Sequence, residues 1–168
     1  MTVGIFAALM TLFGCSGKAP NPDGTDSVHQ LCSVSYSCGH MVRTSCFTFS
    51  LYQKDGEILF DAWCFVETGP DEVEEISIEA VKALPEDFEK LSHIVEQYQL
   101  EHYLKHYRPF KPDLMILDKT TYALSVQWSD GMLLSADSAG EAGDALEQFF
   151  RETAIRLNRE NPQNTIRR

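Results

Sequence analysis

Two stretches of the chain carry the strand signature, apolar and aromatic side chains in short runs between turn residues. From Leu31 to Val66 the sequence is rich in β-branched and aromatic residues and is broken only at Cys38-Gly39-His40 and Lys54-Asp55-Gly56-Glu57, which predicts a three-stranded meander. The register of its second hairpin follows from the turn, because a slip of one residue moves every side chain to the other face. A two-residue Asp55-Gly56 turn sets Phe47, Phe49 and Leu51 beside Cys64, Ala62 and Phe60 on one apolar face. A three-residue loop would instead place Phe49 opposite Asp61 and Cys46 opposite Cys64, so the first register is the expected one. Further on, Tyr122, Leu124, Val126 and Trp128 alternate with Ala123, Ser125 and Gln127, and Met132, Leu134 and Ala136 alternate beyond Ser129-Asp130-Gly131. There a three-residue loop with Gly131 left-handed brings both apolar rows to one face.

Helical periodicity appears twice. Pro85 suits a first helical position and Glu86 and Asp87 its positive end, while Phe88, Leu91, Val95 and Tyr98 recur at helical spacing, predicting a helix over 85–98. A last helix follows Gly140, with Leu146, Phe149, Phe150 and Leu157 as its buried stripe, and residues 160–168 are expected to fray. Between the first ribbon and the first helix, Asp71, Glu72, Glu74, Glu75 and Glu79 around Gly69-Pro70 predict an exposed connection leading to a short extended piece at Ile76 to Ile78. The stretch before the second ribbon, closed by Pro109 and Pro112, reads as irregular. The order of meander, helix, hairpin and helix implies an α+β fold, a two-layer sandwich of a mostly antiparallel sheet with its helices on one face. Each half pairs an Asp-Gly hairpin with an amphipathic helix, a hint of internal duplication.

The opening residues are of another kind. Val3 to Phe13 is an apolar run too short to span a bilayer, followed at Ser16 to Gly24 by polar and turn-forming residues. Residues 1–15 are therefore expected to be a signal peptide, 16–29 a flexible linker, 30–159 the single folded domain and 160–168 a tail. The tetrapeptide Leu12-Phe13-Gly14-Cys15 resembles the lipobox of bacterial lipoproteins, whose cysteine is lipidated and becomes the new N-terminus; the resemblance implies lipid on Cys15 and anchoring to the outer face of the cell membrane. Phe13 is bulkier than that motif usually carries, and no Lys or Arg precedes the apolar run, as would hold if the natural start lay upstream.

Composition narrows the partners. The 168 residues suffice for one domain with a core, and a formal charge of -11, from 25 acidic against 14 basic side chains, opposes nucleic acid and anionic lipid surfaces. The membrane is then reached through the lipid, and the remaining partner is an unidentified protein or glycan.

A further set of short signals comprises Gly39 with Met41, Asp55-Gly56-Glu57, Glu96-Gln97-Tyr98, Leu117-Asp118, Trp128-Ser129-Asp130-Gly131 and Phe149-Phe150. Over roughly residues 31–157 this pattern resembles a group of uncharacterised small lipoproteins of anaerobic gut-dwelling Gram-positive bacteria. That group tends to place a Gly after the helix-ending Tyr and a Trp shortly beyond, where this chain has Gln99 and Tyr103. The resemblance implies no activity.

Candidate chemistry is sparse. Beyond Cys15, the cysteines Cys32, Cys38, Cys46 and Cys64 allow three disulfide pairings, none in a Cys-x-x-Cys spacing. Cys38, His40 and Cys46 offer three soft ligands, the basis of an alternative metal- or thiol-dependent function, although strand and turn cysteines without paired short spacings make poor zinc sites. His102 and His106 stand four apart, as two ligands on a helix would, but close to Pro109. The acidic run matches no calcium loop, and neither a nucleophile elbow, a zinc-protease helix, a phosphate loop nor a dinucleotide fingerprint is present, so no catalytic residue and no cofactor is expected. Tyr36, Tyr52, Trp63 and Phe65 are the candidate binding face, Trp63 and Phe65 falling opposite the core face in the expected register. A third possibility, an inhibitor-like module, requires the Asp55-Gly56 and Asp130-Gly131 turns to share one rim.

Overall fold

A computed structural model describes residues 29–69, 72–109 and 120–162; the export segment, Cys15, Leu117-Asp118 and the tail beyond 162 lie outside them. The strands are β1 (Leu31–Gly39), β2 (Phe47–Lys54), β3 (Glu57–Gly69), β4 (Glu72–Lys82), β5 (Thr121–Trp128) and β6 (Leu133–Ala136). The helices are α1 (Pro85–Gln97), α2 (Leu100–His106) and α3 (Gly143–Glu160), with 3-10 turns at Arg43–Ser45 and Gly140–Ala142. All six strands form one sheet in the order β4-β3-β2-β1-β5-β6, each neighbouring pair antiparallel.

Both hairpins take the expected register. Phe47, Phe49 and Leu51 pair with Cys64, Ala62 and Phe60, and the turn is left-handed at both central residues, Asp55 at φ 53° and Gly56 at φ 82°. That is the primed turn whose twist matches its strands. In the second hairpin Val126 pairs with Leu134 and Leu124 with Ala136. The Trp128 N–H donates to the Met132 carbonyl at 2.9 Å, and Gly131 stands at φ 86°, so the loop is Ser129-Asp130-Gly131.

Two expectations need correction. The acidic connection with a short extended piece at Ile76 to Ile78 is a complete eleven-residue strand, β4, along one edge of the sheet. Its carboxylates mimic a loop in sequence, yet acidic side chains are what an edge strand tolerates, since they repel a further strand. Opposite Asp61 the strand bulges: Ala80 adopts φ 48°, and its N–H donates to Asp61 Oδ1 at 2.6 Å. The second correction concerns the stretch before Pro109, which holds the helix α2 rather than irregular chain.

α1 and α2 are two helices because of one residue. Gln99 takes the left-handed conformation, φ 48° and ψ 44°, closing α1, while its carbonyl accepts from the Tyr103 N–H at 2.9 Å and starts α2. A Cβ in that region is penalised and glycine is the usual solution. Gln99→Gly is therefore expected to stabilise the fold by about 1 kcal/mol in chemical denaturation, and a loss of stability would show that this joint carries no strain.

The core is one cluster. Val34, Phe47, Phe49, Leu51, Phe60, Cys64, Leu124 and Val126 from the sheet meet Leu91, Leu100, Leu146, Phe150 and Leu157 from the helices. Phe150 is fully buried, stacking on Phe49 at 5.4 Å and Phe60 at 6.2 Å. At the head of α1 the buried Asp87 carboxylate accepts from the Leu84 N–H at 2.9 Å and from Arg156 Nη2 of α3 at 2.5 Å, pinning one helix to the other.

Candidate functional site

Directly paired residues of neighbouring strands share a face, so the register fixes which side chains lie opposite the core. Ser33, Ser35 and Ser37 of β1 pair with Tyr52, Ser50 and Thr48 of β2, which pair in turn with Leu59, Asp61 and Trp63 of β3. One row, Asp61-Ser50-Ser35-Ser125-Ser135, crosses from β3 to β6, with hydroxyl contacts of 2.8 Å between Ser35 and Ser50 and between Ser125 and Ser135. This face is hydroxyl-lined at its centre and aromatic toward β3.

Of the four aromatic candidates, Tyr52, Trp63 and Phe65 lie here, all half-buried, and Tyr36 does not. Even-numbered positions of β1 point into the core, and Tyr36 is 3% exposed, packed against Phe47 at 5.2 Å and Tyr122 at 6.1 Å. Burial pushes the Tyr36 phenol well up. Trp63 is positioned by its neighbours: its Nε1 donates to Glu75 Oε1 at 2.9 Å and its ring meets Phe65 edge-on at 5.2 Å. Arg43 lies over the Phe65 ring at 5.5 Å and reaches Glu75 Oε2 at 3.4 Å. Tyr52 has its phenol raised, first by burial and then by the Asp61 carboxylate.

Cys38, His40 and Cys46 sit around the β1–β2 connection without converging. The Cys46 sulfur accepts the His40 N–H at 3.2 Å and lies 3.1 Å from the His40 carbonyl, while His40 Nδ1 accepts the Val42 N–H at 2.9 Å. Cys38 is buried, and burial followed by nearby Cys46 raises its thiol pKa; Cys64, more deeply buried, is pushed up to about 11. Raised thiols are poor nucleophiles. Among the described residues no disulfide is formed, and no three His, Cys, Asp or Glu side chains converge on a metal position. Cys38 and His40 border a cleft of about 560 Å³ with Tyr122, Glu147 and Arg151. Its one guanidinium is committed, with Arg151 Nε on Glu147 at 2.8 Å, Nη1 on the Phe65 carbonyl at 2.9 Å and the group 5.3 Å from the Phe47 ring centre.

A second cleft, of about 490 Å³, opens where β5 meets the α1–α2 corner, with His29, Glu96, His102, Lys105 and Trp128 on its walls. His29 bridges it: Nδ1 is 2.9 Å from Asp130 Oδ2, Nε2 is 3.1 Å from Glu101 Oε2, and the ring stacks on Trp128 at 5.6 Å. Both ring nitrogens face carboxylates, so the protonated form fits best. Its pKa is accordingly raised, most strongly by the Glu101 hydrogen bond, against a lowering by burial and with further raising by Asp130. Glu101, held mainly by Lys105, and Asp130, held mainly by the Met132 N–H, are both lowered. A raised histidine stabilises the fold fully below its ordinary value near 6.5, and that contribution is lost as pH climbs through the higher folded-state value. The lowered carboxylates lose theirs as pH falls through their folded-state values. The Tm advantage of the wild type over His29→Ala should thus be greatest in mildly acidic solution and shrink on either side. Parallel Tm profiles across pH would show that the bridge contributes nothing.

His29 and Gln30 emerge between the two Asp-Gly turns. Leu31 pairs with Trp128 and Ser33 with Tyr52, so the Asp55-Gly56 turn and the Ser129-Asp130-Gly131 loop both lie at the β1 N-terminal end of the sheet, about three strand spacings or roughly 14 Å apart. The bridge is invisible in sequence, since the residues His29 joins lie 72 and 101 positions away. No described helix is long and apolar enough to cross a membrane. Comparison with protein-family models, curated proteins and solved structures finds no match for this chain.

Proposed function

We propose that the chain is a noncatalytic, exported lipoprotein, held at the outer face of the membrane through Cys15, that binds a protein or glycan on the open face of its sheet. In this reading the fold is a two-layer sandwich, with all three helices on the core side and the opposite side left for the partner. The observation that carries it is the sharing of one face by Tyr52, Trp63 and Phe65 with the hydroxyl row from Asp61 to Ser135. Aromatic rings supply contact area at low entropic cost and hydroxyls supply hydrogen bonds, the combination that polar partners require. The lipobox-like Leu12-Phe13-Gly14-Cys15 supports the anchoring. The net charge of -11 argues against nucleic acid.

Chemical-shift mapping with soluble cell-wall glycan fragments and with purified surface proteins tests the binding site. Perturbations centred on Ser35, Ser50, Tyr52 and Trp63, abolished by Trp63→Ala, are expected; shifts confined to the helices would overturn the reading. Labelling cells with a palmitate analogue tests the anchor, and label retained by Cys15→Ala would refute it. A second reading, an inhibitor-like wedge, is favoured by the two Asp-Gly turns flanking His29 on one rim, and perturbations at Asp55, Gly56 and Asp130 in the same experiment would select it.

A further inference from the structure

We propose that His102 and His106 form a two-nitrogen chelate for a late first-row divalent cation, of the nickel(II), copper(II) and zinc(II) class, on the exposed side of α2. The two residues stand one helical turn apart, and α2 continues through His106 despite Pro109, its end closed by the Tyr107 N–H on the Leu104 carbonyl. Both side chains are exposed, and their ring centres lie 4.2 Å apart at an interplanar angle of 36°. The orientation of one ring is fixed: His106 Nδ1 is 2.8 Å from the His102 carbonyl oxygen. A carbonyl accepts only, so Nδ1 carries the proton and Nε2 keeps its lone pair for a metal. A backbone carbonyl holding the far nitrogen is the arrangement that orients metal-bound histidines generally.

The donor set selects the metal. Imidazole nitrogens suit nickel, copper and zinc, whereas calcium and magnesium require oxygen cages. The adjacent carboxylate, Glu101, is occupied by Lys105 at 2.5 Å and His29 at 3.1 Å, so the protein supplies two ligands and water completes the shell. Affinity should then follow the general order, copper above nickel and nickel above cobalt. This site is separate from the open sheet face and stands or falls independently of it.

Equilibrium dialysis of the full chain against nickel(II), which spares the thiols the redox chemistry of copper, reads the chelate directly. One equivalent is expected to bind, unaffected by excess magnesium, and to raise Tm by linkage. His102→Ala and His106→Ala should each weaken binding about tenfold or more, and the double variant should lose less free energy than the two single losses summed, because either single already abolishes the chelate and leaves one weak monodentate imidazole. Both side chains are exposed, so the variants keep the fold; His106→Gln, which preserves a polar surface, serves as a second probe. In the wild type, bound nickel should shield both imidazoles from acylation by diethyl pyrocarbonate, read by mass spectrometry. Nickel bound equally by all variants, or losses that simply add, would overturn the proposal.

Discussion

Phe150→Ala should cost about 4 kcal/mol of folding free energy, among the largest effects expected of a single truncation in the described residues. The ring is fully buried, stacks on Phe49 and Phe60 of two different strands, and meets Phe149 edge-on at 5.3 Å. Removing it deletes the transfer free energy of the side chain and leaves a cavity at the centre of the cluster, between elements that the rest of the core holds in place. Since small domains are stable by only about 5–15 kcal/mol, the variant should be marginal near room temperature. Guanidinium denaturation read by far-UV circular dichroism checks this, with the midpoint falling and the slope unchanged. Phe149→Ala, at a position 9% exposed, should cost less. If the two substitutions proved equal, or Phe150→Ala cost under about 1.5 kcal/mol, α3 would not be seated on the sheet as described.

The second large effect belongs to Asp87. Its carboxylate satisfies the Leu84 N–H at the start of α1 and holds Arg156 of α3, so Asp87→Ala removes a helix cap and an ion pair together. The Asp87 side chain is 7% exposed and that of Arg156 30%, so the full penalty of a broken buried pair does not apply; Arg156 retains water and Glu160 Oε2 at 3.1 Å. About 2–3 kcal/mol is the expected loss. Asp87→Asn keeps an oxygen for the Leu84 N–H while surrendering the charge and should recover about half of it. A double-mutant cycle with Arg156→Met isolates the pair, and a coupling energy indistinguishable from zero would mean that capping alone accounts for the residue.

Much of this fold was legible from residue order alone, and for a local reason. Asp55-Gly56 and Asp130-Gly131 each fix a turn whose geometry fixes the register, and each register then aligns apolar rows over short sequence distances. The stripes of α1 and α3 were visible for the same reason: Phe88, Leu91 and Val95, and Leu146, Phe149, Phe150 and Leu157, are buried as their spacing predicts. What escaped depends on context that sequence does not carry. The glutamates of β4 look like a solvated loop until β3 is known to lie beside them, when Glu75 becomes the acceptor that holds Trp63. α2 is hard to read from sequence because it is only seven residues long, ends close to Pro109, and buries only Leu100 and Leu104. Tyr36 shares the parity of Cys32, Val34 and Cys38 and so belongs to the inward side chains of β1, not with Tyr52, Trp63 and Phe65. The clefts and the His29 bridge required the third dimension.

The margins of the sheet have a consequence for how copies of this chain coexist. A strand edge is a template for recruiting another chain, and the two ends of this sheet offer little to copy. On one side β4 presents Glu72, Glu74 and Glu79 and is broken by the Ala80 bulge; on the other, β6 is four residues long. A second molecule adding a strand to β4 would set like charges together and lose hydrogen bonds at the bulge, while at β6 it would find too short a ladder to repay its ordering. Crowding many molecules together should therefore leave them side by side rather than fused into fibrils.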